Sequence, residues 1–389
     1  MIFTIDPEFI ASVFERYEQG LTALPDEWGA EYWEDVPPSE IQSYFSPKAH
    51  SLNHVKSLIE GSFWASLEKE EGRCHSLQLV YCNYDLADSP FVFDKPIPFD
   101  AAHLAKLSPA IPRSAAIGVW PGPDNILQVW GFEPEPSTGS GPCLRVEVLQ
   151  SGTIIAGCGG PRYFIALLSP DQAGFVDDSI FEPIKRRLDD STEDLGDDWL
   201  GTKRYFPLMH VARAMRSHGH GGTLLVVPIG NGEWEKSINW SDGKYKAGTA
   251  FKKTSEAVAS AIEAHTENTE ELFANYQRSL DLIGQLTAVD GATVIARDLT
   301  ILGFGAKIDC KYDPDETMRV SEPLEDSKPE EKTISKLGGT RHQSAARFVR
   351  DNKESIAVVA SQDGILSFVA WDKEAGLISV TRHAEWQLR

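Results

Sequence analysis

The stretch "GTLLVVPIG", residues 222–230, constrains the chain more than any other. Its centre, Leu224 to Val227, is an unbroken apolar run through which no polar residue alternates. A strand of that kind has to be covered on both faces, as in a parallel or mixed sheet flanked by helices. The flanks agree. "YFPLMHVARAMRSHG" before it has helical spacing, with Gly219 near its end. The stretch from about Thr254 to Leu286 is strongly helical and is expected as two helices broken near "HTENTEE". "GATVIARDLTILGFGAKI" then reads as a two-stranded hairpin. After the helix "QSAARFVRDNKE" come three strands, "SIAVVAS", "ILSFVAW" and "LISVTRH". This half of the chain is α/β, a mixed sheet flanked by helices. Between the hairpin and that helix, "KYDPDETMRVSEPLEDSKPEEK" is acidic and carries prolines, so it is expected to be a mobile solvated loop.

The earlier half has another rhythm. Val55, Leu58, Ile59, Phe63, Trp64 and Leu67 form a stripe at helical spacing that should face a core, with Gly72 placed to end the helix. "SLQLVYCN" follows as a strand, and the proline-rich residues 93–114 read as a short helix between loops. From Ala116 to about Leu168 short strands alternate with Gly/Pro/Ser clusters. The glycines of "AGCGGPRY" suit a tight turn better than a phosphate loop, because no Lys-Ser/Thr pair follows them. "DDSTEDLGDDW" reads as a charged linker or loop. Three regions result: a mixed α/β region over 1–115, a β-rich region with linker over 116–200, and an α/β domain over 204–389.

Charge narrows the function. Against 37 Lys+Arg stand 58 Asp+Glu, a formal net charge of -21. Such a field repels nucleic-acid backbones and anionic membranes, so no broad nucleic-acid surface and no membrane contact are expected. A small nucleotide remains admissible, since a local cation outweighs a screened distant field. The start has no basic region before its apolar residues and is not expected to be a signal peptide. No apolar run approaches the roughly 20 residues that span a bilayer. The 5 cysteines are scattered without Cys-x-x-Cys spacing, which fits reduced thiols in a cytoplasmic protein.

Two places carry candidate chemistry. "GGTRHQSAA", residues 338–346, sets Arg341 and His342 at a helix entrance, where unpaired N–H groups and the dipole favour an anion. The plain alternative is an N-cap, Thr340, beside ordinary surface charge. Asp290 in "AVDGATVI" begins a strand after a long helix, followed by Gly291 and Ala292, which leave room for a ligand or a backbone. An acid here and an Arg-His pair there could hold a nucleoside triphosphate with a divalent cation. His210, His218 and His220 invite a metal reading, but no cysteine or clustered carboxylate joins them.

"DGA" at Asp290 to Ala292, "GTRH" at Gly339 to His342, and the strand–helix order around them resemble the diadenylate cyclase (DAC) domain over roughly residues 204–380. "SFWASLEKEEGR", "LGFGAKI" and "GGTRHQSAARF" extend the likeness to a DAC-related group of probable nucleotide sensors, the DACNV type, over nearly the whole chain. The resemblance implies an α/β domain that binds ATP, whose active members join two ATP into the second messenger cyclic di-AMP across facing domains. It implies Asp290 as the catalytic and metal-binding acid, with Mg²⁺ or Mn²⁺. Gly291, Ala292 and Gly305 would line the nucleotide, and Thr340, Arg341 and His342 would meet phosphate. Ser361 and Gln362, where the family's two Glu would stand, would also meet the nucleotide.

The departures are specific. The active motif Arg-His-Arg is here Arg341-His342-Gln343, and Ser-Glu-Glu is Ala360-Ser361-Gln362. Asp363 could replace an acid only by a register shift that would turn it to the other face. The leading expectation is therefore a sensor of a purine nucleotide or cyclic dinucleotide in bacterial signalling or defence. An active diadenylate cyclase and a catalytically dead scaffold remain as alternatives. A homodimer or higher oligomer and an unidentified effector partner are also implied.

Overall fold

The computed structural model describes residues 4–27, 51–70, 73–74, 77–87, 90–111, 115–133, 143–158, 164–170, 172–177, 184, 205–230, 232–240, 245–246, 269–362 and 365–384. The expected turn at 159–163, the charged linker, the helix before Thr269 with its break, Gly72, and Asp363 lie outside these residues. The chain divides into two compact units, Met1–Val176 and Asp177–Arg389. Both are α/β.

In the first unit, helices α1 (Pro7–Glu27), α2 (Leu52–Leu67) and α3 (Ala101–Leu107) accompany one eight-stranded sheet. Ser51 caps α2, its Oγ accepting the His54 N–H at 3.2 Å. Four members of the expected stripe, Val55, Leu58, Ile59 and Phe63, are buried, whereas Trp64 and Leu67 are 42% and 41% exposed. The strands are β1 (Gln78–Tyr81), β2 (Phe91–Pro98), β3 (Ala116–Pro121), β4 (Leu127–Glu133), β5 (Leu144–Gln150), β6 (Thr153–Cys158), β7 (Phe164–Leu168) and β8 (Ala173–Phe175). Their order is β8-β7-β6-β5-β1-β3-β4-β2. Only β1 and β3 run parallel, Leu79 opposite Ile117, and the remaining neighbours are antiparallel.

The sheet corrects two expectations. A boundary at residue 115 would cut it, because β1 and β2 from before that point pair with β3, β5 and β4 from after it. The proline-rich segment supplies an edge strand, β2, as well as the short helix. Pro96 and Pro98 fit there because an edge leaves one side of the backbone without a ladder to complete.

The second unit holds α4 (Tyr205–Ser217), α5 (Thr269–Leu286) and α6 (Thr340–Asp351). Its strands are β9 (Gly222–Val227), β10 (Ile238–Asn239), β11 (Ala292–Ala296), β12 (Ile301–Ile308), β13 (Thr317–Ser321), β14 (Glu330–Thr333), β15 (Ile356–Ala360), β16 (Leu366–Asp372) and β17 (Leu377–Thr381). They lie in the order β10-β12-β11-β9-β15-β16-β17-β13-β14, with Tyr245–Lys246 also paired to β12. The run at 222–227 is buried throughout and sits near the middle of the sheet, as its composition demands. It pairs parallel with β11, Thr223 opposite Ala292, and antiparallel with β15, Gly222 opposite Ala360.

The acidic segment after β12 is ordered, contrary to the loop expected. β13 pairs parallel with β17 and antiparallel with β14, and Met318 and Val320 enter the core. Two apolar residues spaced by two suffice to seat this strand, while Arg319 between them reaches Asp372 at 3.1 Å.

Candidate functional site at one end of the second sheet

The strand pairing gathers the candidate residues. β9 and β11 both start, and β15 ends, at one end of the sheet, where Ala292 also faces Ala306 of β12. Asp290 enters just before β11, the turn His218–Gly221 just before β9, and Ser361 and Gln362 leave just after β15. All of these residues therefore belong to the same end.

Asp290 is exposed there. Gly291 has φ +107, and a Cβ on it would lie 2.6 Å from Gly305 C and 2.8 Å from the Ala306 carbonyl oxygen. Gly305 has φ +67, and a Cβ there would be 3.6 Å from the Asp290 carbonyl oxygen. The two glycines thus let two backbones cross in contact, beside an irregularity in the β11–β12 register between Ala292 and Val294. Their freedom is spent on the fold, and what the crossing leaves outward is the Asp290 carboxylate.

The helix entrance differs in detail from the sequence reading. The N-cap of α6 is Gly339, with no side-chain cap, so Thr340 is the first helical residue and stands exposed. Gly338, at φ +117, makes the turn into it. The Arg341 guanidinium is half-buried, and no described residue accepts a hydrogen bond or forms an ion pair with it. It lies against Gly221, where a Cβ would come within 2.9 Å of Nη1, 3.1 Å of the Ala360 carbonyl oxygen and 3.1 Å of the Gln362 nitrogen. Arg341 and the 360–362 segment are in this way brought together across a glycine with φ +68.

His342 points elsewhere. Its Nε2 is 3.2 Å from Ser367 Oγ on β16. Burial, then the Arg382 and Arg341 cations, push its pKa down to about 4, so the ring is neutral near pH 7. It offers no charge to an anion. Gln343 donates from Nε2 to the Gly338 carbonyl at 2.8 Å and so closes the entrance turn. The Ser361 hydroxyl accepts the Ile365 N–H at 3.0 Å and braces the β15–β16 turn, while Gln362 is exposed.

Among the described residues no group of three or more His, Cys, Asp or Glu is placed to hold a metal ion. His210 lies on α4 with Nε2 3.0 Å from Asp281 Oδ1 of α5, away from the pair His218 and His220. One exposed carboxylate, Asp290, does not make a resident divalent-cation site, so the described donors do not fit one. Two participants escaped the sequence reading: Gly221, and Thr287, whose Oγ1 lies 3.0 Å from His218 Nε2. Gly221 belongs to the cluster "HGHGG" immediately before the buried strand, and Thr287 stands three residues before Asp290.

Residues 45–133 match the family model of the probable sensor domain DACNV. The matched stretch includes α2, α3 and β1 to β4 and lies wholly within the first unit. No curated protein matches the chain. Among the described residues no helix is long and apolar enough to cross a membrane.

Proposed function

We propose that the second unit binds a purine nucleotide or cyclic dinucleotide as a signal and does not turn it over, in a chain whose first unit carries a sensor domain. The observation that carries this reading is Arg341, half-buried and with no hydrogen-bond or ion-pair partner for its guanidinium among the described residues, at a sheet end that also presents Asp290. A guanidinium placed so meets phosphate by charge-assisted hydrogen bonds. The catalytic complement is thinner. Gln343 is engaged with its own loop, Ser361 with its own turn, and phosphoryl transfer relies on cations and carboxylates that these residues do not supply.

Calorimetry with ATP and with cyclic di-AMP tests the reading. Arg341→Ala is expected to weaken binding by about 10- to 100-fold, since a hydrogen bond to a charged group contributes about 1.5–3 kcal/mol. Incubation of labelled ATP with Mg²⁺ or Mn²⁺ is expected to give no cyclic dinucleotide. Product at many turnovers per site would establish the cyclase instead, and absence of any nucleotide binding would leave the scaffold.

A further inference from the structure

The turn His218–Gly221 plays no part in the reading above, yet its side chains are held in a definite order. His218 Nδ1 accepts the backbone N–H of His220 at 3.1 Å, and its Nε2 lies 3.0 Å from Thr287 Oγ1. The Thr287 hydroxyl gives its one proton to the Gly284 carbonyl at 2.7 Å, so Nε2 must be the donor to Thr287. Both nitrogens of His218 are therefore committed, and the ring is fixed as the neutral Nε2–H tautomer. Burial first, then the neighbouring His220 and Arg341, lower its pKa in keeping with that state.

A ring so fixed is a brace, and it braces His220. The two imidazoles stack with centroids 5.7 Å apart and planes 22° from parallel. His220 is exposed, and no described residue hydrogen-bonds to its ring nitrogens. The next residue is Gly221, against which Arg341 Nη1 rests. A held imidazole and a guanidinium with no partner among the described residues thus stand at one turn.

We propose that His220 and Arg341 together take one phosphate group of the bound nucleotide, with His218 as the positioning residue that holds the His220 ring. This rests on the nucleotide reading above and adds a second phosphate ligand to it. Nucleoside recognition is left to other residues, so the subsite should distinguish ligands by phosphate alone.

The test is calorimetry of adenosine, ATP and inorganic tripolyphosphate against the full chain and its variants. His220→Ala is expected to lose about tenfold in affinity for ATP and for tripolyphosphate, with adenosine unchanged. His218→Ala should reproduce the loss, and His218→Gln, which keeps a donor toward Thr287, should recover part of it. If His220→Ala binds ATP like the parent while Arg341→Ala does not, the subsite is overturned and the nucleotide reading stands. If the parent binds tripolyphosphate in a His220-dependent manner but no nucleotide, the subsite stands and the nucleotide reading falls. A parent that binds neither overturns both.

Discussion

His54 in the first unit and Arg341 in the second are both polar side chains set among packed elements, and their fates differ. His54 is buried and uses both ring nitrogens, Nδ1 with the Tyr81 hydroxyl at 2.9 Å and Nε2 with the Asn125 carbonyl at 3.1 Å. Arg341 has no such partner among the described residues. A polar group whose hydrogen bonds are all made inside holds a fold; one left open at a sheet end is available to something outside. The family match falls on the unit of His54, and Arg341 lies in the other. The stretch that matches the probable sensor domain model and the residues with candidate nucleotide chemistry therefore fall in separate units.

That separation can be broken by experiment. The largest expected effect is on stability. Phe63→Ala empties a fully buried site in the first core and should cost about 3–5 kcal/mol in the first unit's unfolding transition. Nucleotide affinity, measured at a temperature where the variant is folded, should stay within about twofold of the parent. A parallel fall in affinity would mean that the units do not act separately.

Met318→Ala asks the converse question. Met318 is completely buried in the segment whose composition reads as a solvated loop. The expected loss is about 2–5 kcal/mol, seen in the second unit's transition. A loss below about 0.5 kcal/mol, the range of ordinary surface changes, would restore the loop reading.

The smallest effect concerns acid. His342 titrates near 4 in the fold against 6.5 ordinarily, so between those values the unfolded chain binds more protons. The second unit should hold its full His342 contribution above about pH 6.5 and lose it progressively toward pH 4, by about 1–3 kcal/mol. In His342→Gln, which keeps a donor toward Ser367, that part of the slope should vanish. Denaturant titrations at several pH values would show it, and an unchanged slope would remove His342 as its source.

Much of the second sheet was legible because Leu224–Val227 and Ile356–Ala360 are continuous apolar runs and Leu366–Ala370 is interrupted only by Ser367, a signal that charge elsewhere cannot hide. β13 was not, since only Met318 and Val320 mark its buried face amid acids and prolines. β2 was missed for a related reason: an edge strand with most residues exposed has no alternation to read. The boundary at residue 115 failed because the pairing of Leu79 with Ile117 is a long-range contact, and local pattern carries no record of it. In the candidate site, Asp290 and Arg341 were visible from short motifs. His220 is legible only as one of a group of histidines, because spacing along a chain cannot reveal a guanidinium 121 residues away.

The crossing of Gly291 over Gly305 and Ala306 has a consequence for comparing chains. When two large residues touch, a loss at one is often offset by a gain at the other. Here both partners already have no side chain, so neither can shrink to make room. A substitution at Gly291 has no compensating change available at Gly305. The crossing therefore requires glycine at 291, where a Cβ would meet backbone at 2.6 Å, and the φ of +67 favours glycine at 305. Their joint presence, 14 residues apart, can thus serve as a marker of this sheet end in sequences too distant for the rest to align.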